Sequence, residues 1–321
     1  GDNSYWLFII IFFIVLVIIY FVKRLRADLI ELKGILFIGL GAGVCWLIHI
    51  IPGLFTQGMV SFFDMLLIST LIITFMGGAF GVLFGVSESL SREEWSEKII
   101  TLDTIRRKIL YPESGRSILR GVAFACILLG LGAGGGYAAH HFFGGGFSVQ
   151  EIMLRTFTVE RFGFFLLVSS LVLSLMAVTV FCLFFMTLLR RWFKRPVWII
   201  LPAVVLWAAS GMQVFNPKPG VSAAVINTLI CLPLVLVFFR YDFLTVLATA
   251  FMTYLLYFSL ISLVIGGTFL MQGLILTAVV SLCIVYALRS YYSDSTLDDI
   301  SDYEPDYMKR IRDRERIERE L

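Results

Sequence analysis

The sequence predicts an all-α fold, a polytopic transmembrane bundle of about nine helices. Two observations favour it. Hydrophobic residues make up 59% of the 321 residues and charged residues only 15%, whereas soluble proteins carry about 25% charged residues. Apolar runs long enough to cross a bilayer, which takes about 20 helical residues, recur from Tyr5 to Leu288. A soluble domain of this size is therefore excluded.

The positions of these runs predict the individual spans. The first run has no basic segment before it and no small-residue cleavage site after it, so we predict a retained helix rather than a signal peptide. The boundary between the last two spans is the weakest, because only Gly266, Gly267 and Thr268 separate them. The nine predicted spans cover residues 5–22, 34–51, 63–86, 119–141, 162–189, 197–214, 221–239, 243–264 and 269–288.

The distribution of Lys and Arg predicts the orientation. If the N-terminus lies outside, 23 of the 26 basic residues fall on the inside, in loops, in the C-terminal tail or, for Arg120, at the inner membrane edge. Only Arg155, Arg161 and Lys218 fall outside. Short loops rich in Lys and Arg are translocated poorly. The sequence therefore predicts an N-out/C-in protein of the bacterial inner (plasma) membrane.

Three regions are predicted along the chain. Residues 1–118 form an N-terminal three-span region that includes a cytoplasmic amphipathic helix over 91–110. Residues 119–288 form a six-span region. Residues 289–321 form a cytoplasmic linker helix, in which an acidic stretch is followed by alternating charges.

The predicted helix over 91–110 has an apolar and a basic side. Ser91 and Glu94 have the spacing of a capping box at its start. A helix of this kind lies on anionic inner-leaflet lipids with its apolar side down, and docking on a cytoplasmic part of the same protein is the alternative. The interfacial residues predicted from the pattern are Trp95, Lys98, Ile99, Arg106 and Arg107.

Glycines in the third span predict close helix packing. Gly77, Gly81 and Gly85 repeat every four residues, and small residues at this period let two helix backbones approach. Gly39 with Gly43 and Gly130 with Gly134 repeat the spacing. Packing within the bundle is the preferred interpretation, and a homodimer face is the alternative.

Chemistry-bearing residues are sparse in the predicted spans. Their interiors hold no Lys, Arg, Asp or Glu, which argues against proton-coupled transport because buried ionisable residues mark such pathways. Asp64, His49, His140 and His141 lie near span ends and are interpreted as structural, with a metal or pigment ligand as the alternative for the histidines. We predict no catalytic, cofactor-binding or metal site, no cofactor and no nucleic-acid partner.

The stretch from Phe181 to about Tyr254 contains LFFMTLLRRWFKRPVWIILPAVVLWAASG and LVLVFFRYDFLTVLATAFMTY. It is similar to the core of the CAAX-protease and bacteriocin-processing (CPBP) intramembrane proteases, whose motifs are EExxxR, FxxxH and a later His/Asn pair. The resemblance implies a protease-like scaffold over about 177–254 that lacks the residues that would hold zinc and activate water. The degenerate motif positions are Ala177, Val178, Cys182, Ser210 or Gly211, Ala250 and Tyr254.

The end of the chain carries a second resemblance. DYMKRIRDRERIEREL resembles the signalling helix that leads into sporulation-type serine/threonine phosphatase domains, and SESLSREEWSEKIITLD resembles membrane regions ahead of them. The helix reaches Leu321 without a breaker, so we expect it to continue. The phosphatase's metal-binding aspartates would lie beyond Leu321.

These observations favour a non-catalytic membrane sensory or anchoring module. Besides the lipid bilayer, its expected partner is a cytoplasmic phosphatase domain or that domain's protein substrate. The alternatives are an active intramembrane protease and a structural subunit of a larger membrane complex. A transporter would need a polar cavity, for which Ser210, Asn227 and Thr249 are the candidates.

Overall fold

The computed structural model describes residues 4–30, 32–56, 62–106, 109–143, 146–147, 163–210, 217–218 and 220–293. These residues are helical apart from loops and one antiparallel pairing of β1 (Gly146–Phe147) with β2 (Pro217–Lys218). The α-helices of this part are α1 Ser4–Arg26, α2 Leu32–Thr56, α3 Phe62–Ile72, α4 Gly78–Glu94, α5 Ile100–Arg106, α6 Pro112–Phe143, α7 Gly163–Ala177, α8 Thr187–Trp192, α9 Val197–Ala209, α10 Gly220–Arg240, α11 Phe243–Ile265 and α12 Leu270–Tyr291.

Two π-helical segments join neighbouring helices into continuous rods. Ile73–Gly77 connects α3 to α4, and Val178–Met186 connects α7 to α8. π-helical turns inside α-helices are uncommon and accompany functional or strained positions. The second segment is buried along most of its length, so its extra residue per turn is accommodated by packing on every side.

The helices have the character of a multi-pass membrane protein. A helix overlaps the described part of each of the nine predicted spans. Within the described residues, α9 (Val197–Ala209) and the Ala224–Arg240 part of α10 are apolar but shorter than a full span. Six helices are long and apolar enough to cross a bilayer: Leu32–Ile50, Leu66–Glu94, Pro112–Phe142, Phe164–Trp192, Phe243–Ile265 and Leu270–Tyr291.

The rod formed by α7 and α8 lies at the centre of the bundle and, with α11, is the most buried span. On one side of the bundle α6, α11 and α12 pack against one another, and on the other α2 packs against the α3–α4 rod. One large apolar core joins both sides, and Phe181 stacks on Trp207 within it at a ring-centroid distance of 5.2 Å. Lipid-facing side chains such as Phe37 and Val264 are the most exposed apolar ones.

The third-span glycines bring the α3–α4 rod against α2. A Cβ on Gly77 would overlap the carbonyl oxygen of Gly39, and one on Gly81 would lie 2.7 Å from the carbonyl oxygen of Ile35. A Cβ on Gly85 would meet the Ile35 side chain. In this structure the glycine face is therefore filled from within the same chain. Gly130 and Gly134 differ, because a Cβ there would meet nothing within 4 Å.

The segment after α4 differs from the single amphipathic helix expected over 91–110. The α4 helix continues to Glu94, a 3₁₀ turn covers Ser96–Lys98, and α5 has only seven residues. Ser91 is not a cap, since it lies inside α4 and its hydroxyl contacts the Leu183 carbonyl at 3.2 Å.

The side chains expected at the lipid interface are largely buried in protein. Trp95, Ile99 and Lys98 are 4%, 0% and 6% exposed. Trp95 packs edge-on against Phe238 and Phe239, with a distance of 5.6 Å between ring centroids in each pair. The three side chains are therefore buried in protein rather than exposed to lipid, as in the alternative of docking on the same protein, and α10 supplies the aromatic partners of Trp95. Arg106 is partly exposed, and Arg107 lies outside the described residues.

The glycine contacts predict that adjacent glycines tolerate alanine unequally. Gly77→Ala forces a methyl group into the α2 backbone, and we expect a loss of about 1–3 kcal/mol in unfolding free energy from overpacking. Gly78→Ala is the matched control, because its Cβ would meet nothing within 4 Å and alanine favours helix. Thermal unfolding of both variants in one detergent measures the difference. Equal stability of the two variants would contradict the close approach.

Candidate functional site

Basic residues gather at one end of the bundle, which we call the basic end. The helices that finish there in basic side chains include α1, α4, α8, α10 and α12. The acidic and hydroxyl side chains of the same end pair with many of these cations. Two groups of contacts can be distinguished.

The first group is an ion-pair cluster of four residues, Glu88, Arg92, Asp103 and Arg106. Glu88 accepts hydrogen bonds from Arg92 at 2.6 Å and from Arg106 at 2.7 Å. Arg92 also donates to both oxygens of Asp103, at 2.7 and 2.6 Å. The cluster thus joins the last turns of α4 to α5 with two positive and two negative charges.

Burial makes the pairing in this cluster important for stability. The side chains of Glu88 and Arg92 are 16% and 10% exposed. A charge removed from water is tolerated when an opposite charge and hydrogen bonds replace the lost solvation. Burial would lower the pKa of the Arg106 guanidinium, but the hydrogen bond and charge of Glu88 outweigh that effect and raise it. Arg106 therefore stays charged.

Further ion pairs next to this cluster connect α1 and α8 to the same end of α4. Arg24 is 4% exposed, donates to the Ser89 hydroxyl at 2.7 Å and pairs with Glu93. Arg191 lies 3.6 Å from the same Glu93 carboxylate. Glu93 therefore bridges two helices from the end of α4.

Lys98 fastens the 3₁₀ turn to the end of α10. Its ammonium group donates to the carbonyl of Phe239 at 3.0 Å and to that of Tyr241. Burial lowers the pKa of the Lys98 ammonium group. Trp95 lies between Lys98 and Arg190, whose guanidinium is 4.2 Å from the ring centroid.

The second group of contacts holds the end of α12, and we call it the α12 anchor: Tyr111, Gly115, Arg116, Ser290, Tyr291 and Ser293. The Ser290 hydroxyl donates to the Tyr111 carbonyl at 2.7 Å, and Ser293 donates to the carbonyl of Leu110. A Cβ on Gly115 would overlap the Ala287 carbonyl oxygen and lie 2.5 Å from the Tyr291 nitrogen. The Arg116 guanidinium lies 5.4 Å from the Tyr291 ring.

Hydroxyl groups connect the cluster to the anchor. Thr104, in α5, contacts Ser114 in the first turn of α6 at 2.5 Å between hydroxyl oxygens. Thr104 also donates to the Thr101 carbonyl at 2.8 Å. Because Asp103 is next to Thr104 and Ser114 is next to Gly115, the two groups of contacts are consecutive along the short α5 and the start of α6.

Several positions implied by the protease resemblance come together inside the core. Ala177, Val178 and Cys182 lie at the junction of α7 with its π-helical segment, and Ala250 and Tyr254 lie on α11; all five are buried. All five belong to one apolar core that also contains Cys231. The space is filled by these side chains and their neighbours.

The remaining motif positions and polar candidates lie apart from this core. Ser210 lies just after α9 and Gly211 is outside the described residues. Thr249 donates to the Thr245 carbonyl of its own helix at 2.7 Å. Asn227 is buried on α10. The three candidates for a polar transport cavity therefore lie on or next to three different helices.

The histidines also fall at separate places. The His49 ring nitrogen Nδ1 lies 2.7 Å from the Ser169 hydroxyl, which links α2 to α7. His140 and His141 are exposed in the last turn of α6, where His141 stacks on Tyr137. Asp64 is exposed in the first turn of α3. Within the described ranges, no group of three or more His, Cys, Asp or Glu has an arrangement suited to a metal ion.

The ion-pair cluster was missed by the sequence interpretation. Its local signal is the spacing of Glu88 and Arg92, four residues apart on one helix face. The decisive contacts join Glu88 to Arg106, 18 residues away, across a helix break. Nothing in the local pattern places these two side chains together.

The cluster predicts strong coupling between Glu88 and Arg106. Glu88→Gln removes the carboxylate that the largely buried Arg92 and the partly exposed Arg106 share. Removing one partner of a buried pair costs about 3–5 kcal/mol. Arg106→Gln should cost less in the Glu88→Gln protein than in the wild type. A double-mutant cycle of unfolding free energies in detergent measures this coupling.

Glu113→Gln is the control for this cycle. Its carboxylate is 39% exposed and pairs with Arg116, and exposed ion pairs contribute little. A Glu88→Gln protein no less stable than the Glu113→Gln protein would contradict the importance of the cluster.

Comparisons of the whole chain with known proteins assign it to no family. No family model, no curated protein and no solved structure matches the chain.

Proposed function

We propose that this chain is a membrane sensory and anchoring module that relays a signal to a cytoplasmic serine/threonine phosphatase domain. In this proposal the bundle crosses a bacterial inner membrane nine times, with its N-terminus outside and its C-terminus inside. The linker predicted over 289–321 carries the signal from α12 to the phosphatase. The observation that carries the proposal is the α12 anchor, because it holds the helix from which the linker leaves.

The contacts at the basic end give the relay a physical form. A shift of α4 or α1 changes the pairing of Glu88 and Glu93, and the short α5 passes the change to Ser114 and Gly115. These residues contact Ser290 and Tyr291 at the end of α12. Small shifts of packed helices are amplified when the packing has two discrete arrangements. A stimulus acts by binding one arrangement more tightly than the other.

The core around the protease-like positions supports a non-catalytic module. Ala177, Val178 and Cys182 are 3%, 0% and 0% exposed. Hydrolysis requires an ordered water beside a base or a metal ion, and these side chains are surrounded by apolar neighbours. Chelator-sensitive cleavage of labelled membrane peptides by the purified protein would favour the protease alternative instead.

The anchor predicts that Gly115→Val alters the output of the protein. The added side chain would separate α6 from the end of α12, which we expect to change Mn²⁺- or Mg²⁺-dependent phosphatase activity of the gene's full product by several-fold. Gly130→Val is the matched control on the same helix, since a Cβ there meets nothing within 4 Å. Phosphatase assays on membranes with equal amounts of each protein provide the measurement.

Two results of this assay would contradict the proposal. One is a full product with no metal-dependent phosphatase activity. The other is a Gly115→Val protein that retains wild-type activity although its proteolysis pattern shows a displaced α12.

The topology predicts the outcome of reporter fusions. Green fluorescent protein fused after Ser293 should be fluorescent, because this position lies inside in the proposed orientation. Alkaline phosphatase inserted within residues 144–161, between the fourth and fifth predicted spans, should be active, because this segment lies outside in the proposed orientation. Activity of an alkaline phosphatase fused after Ser293 would show an inverted chain or an even number of spans.

A further inference from the structure

A partly open apolar groove lies between α6, α7, α11 and α12. Its volume is about 340 Å³, and the residues that line it include Ile118, Leu171, Leu247, Val279, Cys283 and Tyr286. These helices are apolar enough to cross a bilayer. The material next to the groove is therefore lipid hydrocarbon rather than water.

The groove begins at the basic end and stops inside the membrane. Its lining on α12 extends from Tyr286 back to Val279, which at 1.5 Å per residue is on the order of 10 Å. One leaflet contributes about half of a hydrocarbon core about 30 Å thick. The groove thus matches the chain of a lipid in one leaflet, whereas a helix of another protein would follow the full thickness.

A cation lies where the headgroup of such a lipid would be. The lining residues Val279, Leu282, Cys283 and Tyr286 occupy one face of α12 at helical spacing, and Arg289 continues that face one turn further. Arg289 is exposed, and it forms no ion pair with any described residue. Its guanidinium is thus available to a phosphate group.

Among the residues that the structure describes, positive charges exceed negative ones around this end. Arg116 and Arg120 lie on the first turns of α6, which pack against the end of α12, and both pair with Glu113. The Asp242 carboxylate accepts hydrogen bonds from the Ser117 hydroxyl at 2.6 Å and from the Thr245 amide at 2.7 Å. The described carboxylates near the groove mouth, Glu113 and Asp242, therefore already have partners, and Arg116, Arg120 and Arg289 outnumber them.

We propose that the groove is a binding site for an anionic phospholipid. One acyl chain lies between α11 and α12, and the phosphate lies against Arg289. Bound there, the lipid contacts the end of α12 beside the α12 anchor. Lipid binding in this groove does not depend on a phosphatase domain or on the proposed relay of a signal.

Native mass spectrometry of the purified protein tests this site. Protein in detergent is mixed with equal amounts of phosphatidylglycerol and phosphatidylcholine, and the retained lipids are counted. We expect phosphatidylglycerol to be retained about fivefold better, because one basic side chain contributes about 1 kcal/mol to binding an anionic lipid and 1.4 kcal/mol is tenfold.

Two variants should remove this preference, each with a matched control. Arg289→Gln removes the cation, and Arg195→Gln removes an exposed arginine between α8 and α9. Cys283→Phe fills the groove, and Cys126→Phe adds the same bulk at an exposed position of α6 outside the lining. The controls should retain the wild-type preference.

Three outcomes would overturn the proposal. Equal retention of both lipids would indicate ordinary boundary lipid. Loss of the preference in Arg195→Gln as much as in Arg289→Gln would indicate general charge attraction. An unchanged preference in a monodisperse Cys283→Phe protein, or a dimer that excludes lipid from the groove, would place the lipid elsewhere.

Discussion

The basic end of this bundle depends on one constraint: a charge surrounded by apolar helices must have a partner of opposite sign. Glu88 pairs with Arg92 and Arg106, and Arg92 also pairs with Asp103. Removing any one of the four side chains therefore takes an oppositely charged partner from at least one of the others. Breaking such a buried pair costs far more than its net contribution to stability. The main effect of the cluster is therefore to fix the position of α5 relative to α4, and its net contribution to stability is small.

Because α5 is so short, its position determines that of the next helix. Thr104 contacts Ser114, and the adjacent Gly115 admits the backbone of α12 at a distance that no side chain would allow. The electrostatic constraint on α4 is thereby converted into a steric constraint on α12. Such a chain of contacts lets a bundle influence a linker without catalytic groups, and a lipid in the groove beside α12 would act on the same helix.

Much of the fold could be predicted, because apolar runs and glycine spacing are local signals. A helix overlaps the described part of each predicted span, and the Gly77 face meets α2 as small-residue spacing would suggest. The failures occur at 91–110, where an amphipathic pattern cannot tell lipid from protein as the apolar partner. Trp95 faces α10, and Lys98 reaches a carbonyl 141 residues away. Neither contact has a signature in the sequence around it.

The most direct test of this coupling measures how often the α12 anchor opens. In a protein with Cys45, Cys126 and Cys283 replaced by alanine, the remaining native thiols are buried and Ser290→Cys places a new thiol at a fully buried position. A maleimide then reacts at position 290 only when the anchor opens. We expect Glu88→Gln to increase the labelling rate several-fold, while Arg195→Gln leaves it unchanged. An unchanged rate in a Glu88→Gln protein whose stability has fallen would show that the ion-pair cluster and α12 are independent.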